Sequence, residues 1–243
     1  MTMMVNRRER VRAATVQEIK DVARRQLVTE GPAAVSLRAI AREMGMTAPA
    51  LYRYFPSFEH LVQSLVSDVY DEACSHVETA AASAQDSGAQ LIAAARALRT
   101  WAVDHRAEYG LIFGSPMPGA PAADPARAGA ASGGANSGAS RLAGIFYTVV
   151  EQIWEKNQFP IVTPDDLEPA LRDQLAQYRE QHSSSLPLGA LALCASTWVR
   201  LQGLVSLEVF NHLRFAYTGG SCEGEAFFNY QLADIAASLG VKE

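Results

Sequence analysis

An all-α fold is predicted by three observations. Apolar residues recur at helical spacing through nearly the whole chain, no segment shows strand alternation bounded by turn residues, and glycine or proline follows each of the first three helical stretches. The pattern divides into a small N-terminal module of three short helices and a larger helical body, with boundaries expected at residues 1–12 (a basic arm), 13–64 (the module) and 65–243 (the body).

The elements follow in order. Over residues 13–29, Val16, Ile19, Ala23 and Leu27 fall on one helical face, and Gly31 and Pro32 supply a common helix ending. Ser36 is placed to accept from the free amides of a second helix, in which Leu37, Ile40, Ala41 and Met44 recur before Gly45 closes it after two turns. Thr47 is the expected cap of a third helix, with Pro49 in its first turn, where a missing N–H costs little. Leu51, Tyr54 and Phe55 give that helix an inner face, and Pro56 stops it. A longer helix over 57–79 carries Leu61, Leu65, Val69 and Ala73 on one side and links module to body. The body continues helically over 91–105 and 108–113. Residues 115–140 hold four prolines, five glycines and only Asp124 and Arg127 as charges, a composition that buries too little to offset ordering and is expected to be a mobile loop. Helical spacing returns over 142–156, 165–182, 188–213 and 224–239, with no internal repeat.

At 243 residues, 49% apolar and 19% charged, the chain is long enough for a well-buried core. It holds no uninterrupted run of about 18 apolar residues, and "MTMMVNRRERVR" lacks the apolar segment of a secretory signal, so a cytoplasmic protein without a membrane partner is expected. Cys74, Cys194 and Cys222 are too scattered for a disulfide framework or a thiolate metal site. The net charge of −5 conceals an asymmetry: residues 1–66 carry ten Lys/Arg against six Asp/Glu, a balance of +4, and the remainder carries −9. A basic module on an acidic body suggests that the first part alone meets a polyanion.

The stretch "SLRAIAREMGMTAPALYRYF", residues 36–55, sharpens that reading. Gly45 can turn the chain in the left-handed conformation, Met46 can plug the angle between two helices, and small Ala41 lets them approach closely. Two short helices joined by so tight a turn form a helix-turn-helix, whose second helix lies in the DNA major groove. The DNA-contact candidates are Ser36, Arg38, Thr47, Ala48, Pro49, Ala50, Tyr52, Arg53 and Tyr54. Arg53 suits guanine or phosphate, Ala48 or Ala50 a thymine methyl, and Tyr52 and Thr47 phosphates. Tyr52 and Tyr54 equally suit packing within the module, whereas Phe55 reads as core. Arg7, Arg8, Arg10 and Arg12 suit phosphates, a minor-groove arm, or a solubilising tail.

At "VSLRAIAREMGMTAPALYRYF" and the following "EHLVQSL" the chain resembles the tetracycline-repressor (TetR) family of bacterial transcriptional regulators, over about residues 11–64. The resemblance implies an all-helical homodimer whose paired motifs read a palindromic operator in double-stranded DNA, and a C-terminal domain that binds a small-molecule effector and forms the dimer. Two departures stand out. Phe58 occupies the start of the fourth helix, where such proteins often carry a phosphate-binding Lys, and the third helix ends Tyr52-Arg53-Tyr54-Phe55 rather than Tyr-x-His-Phe. In the body, "WAVDHRAEYGLIFGSPMPG" and "WVRLQGLVSLEVFNHL" are similar to a subgroup marked by Trp and then His-Gly; here Trp198 is followed by Gln202 and Gly203, so no role of that His carries over.

For the effector, the candidates are Trp101, His105, Tyr109, Phe113, Phe146, Tyr147, Trp154, Trp198 and Gln202, most of them expected in the core and two or three lining a pocket. His76, His105, His182 and His212 form no cluster at metal-ligand spacing, and neither metal nor cofactor is expected. The helices over 188–213 and 224–239 suit a dimer face through Ala195, Ser196, Gly203 and Ser206, or an internal packing seam. No nucleophile elbow, phosphate loop or zinc signature points to an enzyme. A rival reading is a helical small-molecule-binding or scaffolding protein that has lost specific DNA binding, motivated by the acidic total and by Phe58.

Overall fold

The computed structural model describes residues 7–114, 138–213 and 223–241. Ten α-helices appear among them and no strand: α1 Arg7–Glu30, α2 Leu37–Glu43, α3 Ala48–Tyr52, α4 Phe58–Ala82, α5 Ser87–Asp104, α6 Arg106–Phe113, α7 Gly138–Lys156, α8 Pro169–Gln181, α9 Leu188–Val209 and α10 Glu223–Ser238, with a 3-10 turn at Pro164–Asp166. The expected all-α fold is therefore correct. Residues 1–6 of the expected arm, most of the expected 115–140 loop and Cys222 lie outside the described residues.

Three expectations differ in detail. Helix α1 begins at Arg7 rather than near residue 13, because no glycine or proline separates the helix-favouring Arg7–Arg12 run from the periodic part. The single helix expected over 165–182 is broken, since a residue before proline avoids the helical region and Pro169 follows Glu168. Thr163 instead forms a capping box with Asp166, and Glu168 caps α8 by accepting from the Leu171 amide at 3.2 Å. The third difference is α6, which the sequence pattern places with the body.

The chain divides into two units, with α4 crossing the boundary between Asp71 and Glu72. The first holds the described residues up to Asp71 together with 105–114. Its core is made by Ile19, Val22, Ala23 and Leu27 of α1, Leu37, Ile40 and Ala41 of α2, Leu51 of α3, Phe55, and Leu61 and Leu65 of α4. Ala107 and Leu111 of α6 pack on this core, and the buried Glu108 carboxylate accepts from Arg24 Nε at 2.9 Å. A buried acid needs such a partner, which is why α6 stays with α1. Lys20 and Asp68 pair at 2.5 Å between α1 and α4.

The second unit packs α5 against α7, α9 and α10, with Trp101, Phe146 and Phe228 among its largest sealed side chains. Arg99 grips Glu208 through two hydrogen bonds of 2.8 and 2.7 Å, tying α5 to α9, and lies 5.4 Å above the Phe228 ring of α10. Among the described helices, α9 is the one long and apolar enough to cross a membrane by length and composition, with a mean hydropathy of 1.3 over 22 residues. It meets that measure although charges interrupt it. Its Arg200 pairs with Asp234 and its Glu208 with Arg99, and it packs on α5, α7, α8 and α10. Burial pushes the Cys194 thiol of this helix up to about 11, assisted by the Glu151 charge.

Two stability tests follow from these ties. Arg99 and Glu208 are 15% and 10% exposed, so Glu208→Ala strands a buried guanidinium and lowers the unfolding free energy by about 3 kcal/mol in urea titration. In the first unit, Glu43 accepts from Arg25 and, at 2.6 Å, from Gln26 Nε2, bonds that hold its carboxyl below the ordinary value of 4.5. A depressed carboxyl stabilises the folded state above its unfolded pKa, and the contribution is lost as pH falls through the folded value. The gap in urea midpoint between the wild type and Glu43→Gln is therefore open at pH 7 and closes progressively below about pH 4.5.

Candidate nucleic-acid interface

The candidate site is the turn from α2 into α3. Ser36 begins it in extended backbone, its Oγ accepting from the Ala39 amide at 3.1 Å. Helix α2 ends in a Schellman arrangement: the Gly45 amide donates to the Arg42 carbonyl at 3.3 Å and the Met46 amide to the Ala41 carbonyl at 2.8 Å. That closure requires φ of +64° at Gly45, a conformation that costs a residue with a Cβ about 1–2 kcal/mol. Met46 then packs partly buried on the core.

Helix α3 is only five residues long. Leu51 is fully buried beneath it and Phe55 follows into the same core, so the opposite face is forced outward. Pro49, Tyr52 and Arg53 are exposed there, with Tyr52 at 47%, while Ala48 and Ala50 are half-buried and shape a low surface between them. Thr47 differs from the capping expectation: it occupies the cap position, but its side chain makes no capping bond and faces solvent. Arg38 is exposed at the start of α2, and Ser36, also exposed, keeps its hydroxyl proton to donate while its oxygen caps. All nine candidates belong to the first unit, on α2, α3 and the residues that flank them. Their residue types supply donors for phosphate and base edges along with methyl groups for thymine.

Tyr54 is half-buried against the core, and the Arg12 guanidinium lies 5.4 Å from the centre of its ring. Arg12 Nη2 also donates to the Arg53 carbonyl at 3.4 Å. This link between the first turns of α1 and the end of α3 is absent from the sequence expectation, although Arg12, Val16, Ile19 and Ala23 stand on one stripe that would have indicated it. A hollow of about 580 Å³ opens beside the link, lined by Arg7, Arg8, Val11, Arg12, Met46, Ala50, Arg53 and Tyr54. At the start of α4, the Ser57 Oγ lies 2.8 Å from His60 Nδ1, and Phe58 packs on the core where a phosphate-binding Lys was expected from the resemblance.

The effector candidates do not share one unit. His105, Tyr109 and Phe113 belong to the first, where the Tyr109 and Phe113 rings lie 4.8 Å apart, Tyr70 meets Phe113 edge-on at 6.0 Å, and His105 occupies the N-cap position of α6 without a side-chain capping bond. Trp101, Phe146, Tyr147, Trp154, Trp198 and Gln202 belong to the second. Phe146 and Trp198 meet at 5.4 Å, Trp154 stacks edge-on against Phe159 at 4.9 Å, and Trp101 Nε1 donates to Glu72 at 3.2 Å. A second hollow, about 560 Å³, runs along α4 beside Glu72, His76 and Thr79 and includes none of these candidates. Tyr147 bonds Ser184 and, at 3.3 Å, Glu151, which also accepts from Ser185 at 2.7 Å; desolvation is the main cause that raises the Tyr147 phenol. Among the described residues no group of three or more His, Cys, Asp or Glu is arranged to hold a metal ion.

Comparison with known proteins agrees with this architecture. Residues 19–65 match the family described as bacterial regulatory proteins, tetR family, and residues 91–235 match the tetracyclin repressor-like C-terminal domain. HTH-type transcriptional regulators of Mycobacterium tuberculosis and Mycobacterium bovis are 32% identical to the chain, covering 86% of it and 86% of their own length. The crystal structure of a regulatory protein, SCO4313, shares 32% identity at a TM-score of 0.70, covering 95% of this chain and 98% of that one. A TetR/AcrR-family regulator from Thermobifida fusca has the same fold at 16% identity and a TM-score of 0.56, covering 92% of this chain and 97% of that one. These relatives are regulators and not enzymes. With a reading helix presented above Leu51 and both parts of the chain matched, the protein belongs to the tetR family of bacterial regulatory proteins and is a DNA-binding transcriptional regulator.

Proposed function

We propose that the chain is a ligand-responsive repressor that binds a palindromic operator as a homodimer in the cytoplasm, associated with the nucleoid when DNA-bound. The observation that carries the reading is the outward face of α3. Exposed Thr47, Pro49, Tyr52 and Arg53 stand above a buried Leu51, on a module whose charge balance is +4. A single reading helix of five residues spans too few base pairs for operator specificity, and a two-fold dimer that sets two such helices about one DNA turn apart supplies the rest.

Support for the dimer comes from α9 and α10. Val199, Leu207 and Tyr230 are exposed on them at 66%, 44% and 70%, with Phe210 just beyond α9. Beside these, Ala195 and Ser196 are exposed and the open side of Gly203 meets nothing within 4 Å, leaving room for close helix approach. Apolar side chains grouped with small residues suit a self-complementary face. The effector is assigned to the second unit, with Phe146, Trp198 and Gln202 as the candidates for contact, Phe146 and Trp198 lying ring to ring at 5.4 Å. Because α4 is one continuous helix from Phe58 to Ala82, an effector that favours one setting of the body would alter the spacing of the paired α3 helices and release the operator.

Two experiments test this reading. In gel shift with the DNA upstream of the chain's own gene, and with a duplex selected from a random pool, the wild type should bind and weaken steeply as salt rises. Arg53→Ala then either relaxes one base position, as a base contact would, at a cost of about 1–3 kcal/mol, or weakens all sequences alike, as a phosphate contact would. Binding of neither DNA by the wild type would sink the repressor reading. For the dimer, sedimentation should give twice the chain mass for the wild type and a folded monomer for Val199→Asp with Tyr230→Asp; a monomeric wild type, or a double variant that stays dimeric, contradicts the assigned face.

A further inference from the structure

Helix α3 is held from below by Leu51, and its C-terminal end is held from the side by a residue outside the helix-turn-helix. Arg12 stands on the same stripe of α1 as Val16, Ile19 and Ala23, one turn beyond Val16, so the burial of Ile19 and Ala23 aims it toward the end of α3. Its guanidinium makes two contacts there, the 3.4 Å bond to the Arg53 carbonyl and the 5.4 Å approach to the Tyr54 ring. A five-residue helix has few internal hydrogen bonds. The Arg53 carbonyl would accept within the chain from residue 56 or 57, but Pro56 has no N–H and the helix ends there, which leaves this carbonyl for an outside donor. A cation at this carboxyl end also complements the helix dipole.

We infer that Arg12 is a positioning residue for the recognition helix rather than a phosphate ligand: by holding the Arg53 carbonyl and the Tyr54 ring, it fixes the angle at which Tyr52 and Arg53 meet the bases. The inference rests on the DNA-reading function proposed above and adds a division of labour within the basic run. Arg7, Arg8 and Arg12 line one exposed hollow beside the link; Arg12 reaches across it to the end of α3 with its guanidinium, and Arg7 is assigned to the polyanion. Phosphate affinity and base reading then separate: loss of Arg12 costs sequence discrimination while the count of neutralised phosphates stays the same.

The test uses the full chain with Arg12→Ala, Arg12→Lys and Tyr54→Ala, on two duplexes of equal length, one selected on the wild type and one random. Both Arg12 variants should bind the selected duplex roughly tenfold more weakly, as loss of a charge-assisted bond implies. Lysine does not rescue because its single ammonium cannot reach the Arg53 carbonyl and the Tyr54 ring together as the forked guanidinium does. Random-duplex affinity should change less than about twofold and the slope of log K against log salt should stay as in the wild type. Tyr54→Ala should reproduce the loss, and adding Arg12→Ala to it should cost little more. In the DNA-free protein, hydrogen exchange at the Tyr54 and Phe55 amides should quicken in Arg12→Ala while that at the Met46 amide does not. Equal weakening on both duplexes with a slope shallower by about 0.9, and rescue by lysine, would identify Arg12 as a phosphate contact and overturn the inference. Unchanged discrimination or unchanged exchange would overturn it equally. A wild type that does not distinguish the two duplexes would instead refute DNA reading itself.

Discussion

Five residues cannot hold a helix by their own hydrogen bonds, and the rest of the DNA-reading end depends on how α3 is nonetheless kept in place. The answer is the burial of Leu51, with Phe55 behind it, in a core that α1, α2 and α4 have already assembled. Once Leu51 faces inward, the helical period sets Pro49, Tyr52 and Arg53 outward. The left-handed Gly45 brings α3 to that core at all, because the chain must reverse within three residues while the last carbonyls of α2 remain bonded. The function of the module follows from this one packing constraint.

Charged groups in the structure serve mainly to join helices. Arg24 with Glu108 ties α1 to α6, Lys20 with Asp68 ties α1 to α4, and Arg25 and Gln26 hold Glu43 at the end of α2. In the second unit, Arg99 and Glu208 do the same between α5 and α9. Several cations of the basic module are therefore spent inside the protein, so the +4 balance overstates the number free to meet phosphate. Arg38 and Arg53 stay exposed on the two helices of the α2–α3 turn.

Much of this was legible in the sequence. The order of the helices, the turn at Gly45 and the inward assignment of Leu51 and Phe55 follow from spacing and from the conformational demands of glycine and proline. What escaped depends on contacts distant in sequence. Tyr54 could face either way by spacing, and only the position of Arg12, 42 residues earlier, decides that its ring is covered. Helix α6 reads as part of the body because it follows α5, whereas the buried Glu108 binds it to α1. The effector residues were legible as large aromatics but not as a site, because core and pocket draw on the same residue types; Trp101, Tyr109 and Phe146 are all sealed.

The central claim is that α3 reads base edges in the major groove. Methylation interference on a duplex selected by the wild-type chain tests it most directly, since guanine N7 lies in the major groove and adenine N3 in the minor. Interference is predicted at guanine N7 positions in two symmetric clusters about one helical turn apart. Tolerance of N7 methylation throughout the bound sequence, with interference at adenine N3 alone, would contradict the account.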